Sequence, residues 1–145
     1  MTKESSWNEC LESQMSITIS PDKAKARSLI DTAIGRNQFL ETNIITEQNA
    51  NYIFEGYYSS VLEILHAVVL IRGYKVTNHI CLGYYLRDIL KKQRLFRLFD
   101  DCRFKRNSLI YYGRKMEFDV SKSSISACKF LIVELKTVFD TELNL

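Results

Sequence analysis

The chain has 145 residues, 46% of them hydrophobic, which supplies one core and leaves too little for two ordinary domains. Five glycines and a single proline, Pro21, are too few to turn the many short strands of a sandwich or barrel, so long helices are expected. The net charge of +3 is unevenly spread: Arg87 to Lys115 holds ten basic residues against three acidic ones, an excess of seven, and the remainder is four negative. Such polarity suits an anionic ligand, and it also suits a solvated helix face.

In chain order, Met1 to Trp7 lacks an apolar run led by positive charge, so no export signal is expected. Ser6 to Ser13 reads as a short helix carrying Trp7, Cys10 and Leu11, followed by an extended Ile17-Thr18-Ile19. A helix then starts with Ser20 as cap, Pro21 in the first position and Asp22 at the positive dipole end, and Ala26, Leu29, Ile30, Ala33, Ile34 and Leu40 recur at helical spacing. From Asn49 to Arg72 a broad stripe (Tyr52, Ile53, Phe54, Tyr57, Tyr58, Val61, Leu62, Leu65, Val68, Val69) predicts the central core helix, ended by Gly73. Within it, Val61 to Ile71 is interrupted by Glu63 and His66 and is too short to span a bilayer, so a soluble cytoplasmic protein without a membrane partner is expected. A helix from Asn78 carries Leu82, Tyr85, Leu86, Ile89 and Leu90; further helices cover Leu95 to Lys115 and Ser121 to Leu143. Short connections between amphipathic helices predict an all-α, up-and-down bundle of four to five helices, one domain over residues 1–145, with 1–19 forming the short helix and extended segment. Cys10, Cys81, Cys102 and Cys128 are scattered and are expected to be reduced, mostly buried thiols.

The inner stripe of the Leu95–Lys115 helix runs Phe99, Cys102, Arg106, Leu109, Ile110, Gly113, placing an arginine on an apolar seam. Arg106 either snorkels its charge to water or offers its planar fork to a phosphate in a cleft. Tyr111 and Tyr112, with Arg103 nearby, add stacking surfaces and hydrogen-bond donors for a base or phosphate.

Four phrases carry a family resemblance: Trp7-Asn8-Glu9-Cys10-Leu11, Ala50 to Lys75, Asn78 to Leu86, and Arg106 to Gly113. Over most of its length the chain resembles the HEPN domain in its small free-standing prokaryotic form. The resemblance implies a bundle of four or five helices that dimerises, a metal-independent ribonuclease motif, and a small nucleotidyltransferase as partner in a toxin–antitoxin pair. Arg106 and Asn107 match the first two motif positions. Tyr111 stands where the motif has histidine, and Gly113 where toxin-type members have a modifiable tyrosine.

At about 100° per residue, positions 106 and 111 point about 140° apart, so a site using both is expected across a two-fold dimer interface. Tyrosine, with a reference pKa of about 10, is a poor base at neutral pH. The sequence therefore leads to an RNA- or nucleotide-binding domain, with ligand contacts from Arg103, Arg106, Asn107, Tyr111 and Tyr112, rather than an efficient nuclease. The alternatives are a metal-independent endoribonuclease with Arg106 and Tyr111 (or a histidine from elsewhere) as catalytic residues, and an interaction scaffold without a ligand. Structural roles are expected for His66 and His79; the lone His79-x-Cys81 pair is too sparse for zinc, and neither metal nor cofactor is expected. Glu55 and Glu63 are the carboxylates expected to pair with arginines across the bundle or to serve as acids in the cleft. One tyrosine of each pair, Tyr57-Tyr58, Tyr84-Tyr85 and Tyr111-Tyr112, is expected in the core. No phosphate loop, dinucleotide fingerprint, nucleophile elbow or paired CxxC is present.

Overall fold

The computed structural model describes residues 4–145; residues 1–3, part of the stretch read for an export signal, lie outside them. The described chain is mostly helical, with α1 (Trp7–Glu12), β1 (Ser16–Thr18), α2 (Lys23–Glu41), α3 (Ala50–Ile71), β2 (Tyr74–Val76), α4 (His79–Tyr84) running into a π-turn (Tyr85–Ile89), α5 (Gln93–Tyr112) and α6 (Phe118–Leu143).

The bundle is organised around α3. Ile53, Phe54, Tyr57, Tyr58, Val61, Ile64, Leu65 and Val68 are buried on it, with α2 and α6 packed against it. Burial of this kind stabilises by roughly 1.5–3 kcal/mol per large apolar side chain. By length and composition Ala50–Leu70 would also pass for a membrane span, yet 67% of that window is buried within the protein itself. Tyr52, expected in the stripe, is 69% exposed and lines a surface hollow with Glu55 and Lys115.

The start of α2 differs from expectation. Asp22, not Ser20, is the cap, its carboxylate accepting the Lys25 amide at 2.9 Å. Pro21 remains outside the helix, against Gly73, where the chain leaves α3 at φ +85°; a Cβ there would lie 2.7 Å from the Ile19 carbonyl oxygen.

Two further departures bear on the site. The extended segment forms a sheet that the sequence did not reveal: β1 pairs antiparallel with β2, Ser16 opposite Val76 and Thr18 opposite Tyr74. The helix from Asn78 is regular only to Tyr84, then widens so that the Leu90 amide reaches the Tyr85 carbonyl, and Lys91 breaks the chain at φ +59° before α5. At Gly83, α4 meets α5 closely; a Cβ there would lie 3.0–3.1 Å from the Phe96 and Phe99 rings.

The cysteine expectation needs correction. Cys10 and Cys81, 71 residues apart, form a disulfide that ties α1 to α4, with a Cα–Cα separation of 6.1 Å. Cys102 and Cys128 are free, buried thiols joining α5 to α6, with Cys128 donating to Cys102 at 3.9 Å.

Candidate functional site: a groove beside the second half of α5

Buried positions on α5 are Leu95, Phe99 and Cys102, all in its first half. Beyond them the helix runs out past the core. Leu109 is half-buried, while Phe104, Ile110, Tyr111 and Tyr112 are exposed, so neither Tyr111 nor Tyr112 is the expected core member of its pair. The buried members of the other pairs are Tyr85 and both Tyr57 and Tyr58.

Arg106 keeps the inward direction its spacing predicts, but it is half-buried, with its guanidinium carbon 5.8 Å from the centre of the Tyr58 ring. It has no carboxylate partner among the described residues. Glu63 is taken by Arg36, and Glu55 lines a separate hollow with Glu47, Tyr52, Leu109 and Lys115.

On the adjacent face, Arg103, Asn107 and Tyr111 recur every fourth residue and line a groove of about 380 Å³. Its other wall is Met15, Thr77, Asn78 and His79, supplied by the segments flanking the β1–β2 pair and the start of α4. Three of the five residues named from sequence therefore meet in one concavity. Arg106 is outside its lining, on the core side, and Tyr112 points elsewhere, 5.8 Å beneath the Arg114 guanidinium.

His79 is the residue that sequence reasoning assigned to structure alone and the fold brings to the groove. Its ring centre is 6.4 Å from both Tyr58 and His66. Burial, then the positive charges of Arg106 and Arg103, hold its pKa below the ordinary imidazole value. His66 lies deeper, pushed down to about 4 by burial and then by His79. Both rings are neutral at pH 7. Cys81 is consumed by the disulfide, which removes it as a metal ligand beside His79.

Beneath the groove, Tyr58 stacks parallel on Phe99 with 6.1 Å between ring centres, and its buried hydroxyl has no hydrogen-bond partner among the described residues. Burial pushes its pKa well up, partly offset by Arg106 and Arg103, so the phenol stays protonated. Arg103 is braced by Asp100, whose carboxylate oxygen takes both its Nε and one Nη at 2.9 Å.

The basic excess of Arg87–Lys115 is not one patch. Arg87, Arg103 and Lys105 pair with Asp88, Asp100 and Asp101. Lys91, Lys92 and Arg94 line a different hollow, of about 550 Å³, between the start of α5 and α6, where Arg94 covers the Phe130 ring. Arg103, paired with Asp100, is the cation in the groove lining, and Arg106 stands on its core side.

Compared with protein-family models, curated proteins and solved structures, the chain matches none.

Proposed function

We propose that the chain is a HEPN-like domain that binds RNA or a nucleotide in the groove of Arg103, Asn107, Tyr111 and His79, with Arg106 supplying charge from its inner edge. The observation that carries this reading is the convergence of Arg103, Asn107 and Tyr111 on one concavity, beside an arginine that has no carboxylate partner among the described residues. Arginine and asparagine suit phosphate oxygens, and an exposed tyrosine ring suits a base. On this reading the domain is a homodimer, with the exposed Phe104, Ile110 and Tyr112 of α5 as the apolar surface offered to a second copy. A small nucleotidyltransferase is the partner that the family resemblance adds.

Fluorescence anisotropy with a short labelled single-stranded RNA tests the reading. Binding that weakens with salt, and about tenfold more weakly in Asn107→Ala and Arg106→Ala with unchanged circular dichroism, is the expected result. Salt-insensitive behaviour and no binding of RNA or nucleotides would leave an interaction scaffold in its place.

One observation favours a second reading, a metal-independent ribonuclease: a neutral imidazole lines the groove where the motif's own histidine is missing. His79 would accept the 2′-hydroxyl proton as that oxygen attacks phosphorus, the 5′-oxygen leaving with a proton from Tyr111 and a 2′,3′-cyclic phosphate remaining. RNA cleavage in chelator that is lost in His79→Gln establishes it; intact RNA after incubation with clean protein returns the groove to binding alone.

A further inference from the structure

The wall of the groove that faces α5 is held by a clasp at the other end of the chain. Residues 4–12 lie across α4 and the π-turn: the Asp88 carboxylate accepts the Trp7 amide at 2.8 Å, Arg87 donates to the Ser5 carbonyl at 2.8 Å, and the Tyr84 hydroxyl donates to the Glu4 carbonyl at 3.0 Å. The buried Trp7 ring sits edge-on between Tyr74 and Tyr85. From there the segment runs to Met15, which lines the groove and whose carbonyl accepts both the amide and the hydroxyl of Thr77, at 2.9 and 3.1 Å.

The disulfide closes this arrangement. Cys10 stands five residues before Met15 and Cys81 two residues after His79, so the bond joins the two groups that make the wall. Neither α1 nor α4, six residues each, is long enough to hold as an isolated helix; each depends on ties to its neighbours. Tyr84, Arg87 and Asp88 supply polar ties, and the disulfide is the covalent one.

We infer that Cys10–Cys81 is a redox clasp on the groove: oxidised, it holds Met15, Thr77 and His79 in place to receive the ligand, and reduction by a dithiol releases them. This rests on the groove being the ligand site. The reductant's thiolate attacks one sulfur of the bond, its second thiol resolves the mixed disulfide, and two electrons and two protons pass to Cys10 and Cys81 as the reductant becomes a cyclic disulfide. Both sulfurs are buried, so exchange proceeds through opening of α1, and the reduced protein is reached by way of the loosened clasp. Cys102 and Cys128 lie between α5 and α6, away from this segment, and take no part.

The test compares the oxidised protein, the same protein reduced with dithiothreitol, and Cys10→Ser/Cys81→Ser, with Cys102→Ser as the control that keeps its response to reductant. Amide hydrogen exchange is read on residues 4–18 and 77–84, and affinity on a short labelled single-stranded RNA. Faster exchange in both segments, unchanged exchange in α3 and α6, and RNA affinity about tenfold weaker on reduction is the expected result. The reduced wild type gives the answer even if the double variant does not fold. Unchanged exchange in the two segments, or RNA affinity equal in both redox states, overturns the clasp. Exchange that responds while neither state binds RNA overturns the reading of the groove itself, and the switch with it.

Discussion

The two halves of α5 keep the same helical register and have opposite fates. In the first, Leu95, Phe99 and Cys102 point inward and are sealed by α4, α6 and the α3 face. In the second, Arg106 points the same way and is only half-buried, while Arg103, Asn107 and Tyr111 face a groove closed by Met15 and His79. Helical period sets the direction of a side chain; the elements laid over it set its depth. The division separates residues that hold the fold from residues free to meet a ligand, and it can be broken or sharpened by substitution.

The largest effect is expected in the first half. Phe99→Ala removes a ring with no exposed surface that stacks on Tyr58, and should lower unfolding free energy by about 3–5 kcal/mol in urea titration. A loss below about 1 kcal/mol would mean that this half is not part of the core.

Acid should act on the core side of the groove wall next. Folded His66 gives up its proton at about 4, against about 6.5 in the unfolded chain, so the unfolded state binds more protons between these values. Stability is therefore fully present above about pH 6.5 and falls as pH drops toward 4, by as much as about 3 kcal/mol from this residue. His79, shifted the same way, adds to the slope. Urea midpoints measured across this range should flatten in His66→Gln; an identical slope would place the titration elsewhere.

In the second half, substitution should spare stability and cost binding. Tyr111→Ala should weaken single-stranded RNA by about 1–3 kcal/mol, the worth of one stacked base, in anisotropy titrations. The smallest effect is the most discriminating: the same variant, at a site 68% exposed, should shift the unfolding free energy by no more than about 0.5 kcal/mol. A larger loss would make Tyr111 a packing residue and erase the difference between the halves.

How much of this was legible follows from the range over which each signal acts. The long helices and the α3 core were readable because apolar period is local, and Arg103, Asn107 and Tyr111 share a face by spacing alone. His79 was not readable as a groove residue, since its place depends on a three-residue strand pairing across 58 or so positions that no short window contains. The Cys10–Cys81 bond has the same origin: two six-residue helices far apart in sequence meet over the π-turn. For Arg106, spacing gave the direction and left two depths open, because the point at which the core ends is set by other elements.

The central claim is that ligand enters beside Asn107 and His79 rather than at the basic hollow of Lys91, Lys92 and Arg94. Nitrogen-15 NMR titration of the oxidised protein with a short single-stranded RNA tests it most directly. Amide shifts concentrated at 77–79 and 103–111 are the result this account predicts; shifts centred on 90–95 and on Phe130, with the groove residues unmoved, would contradict it.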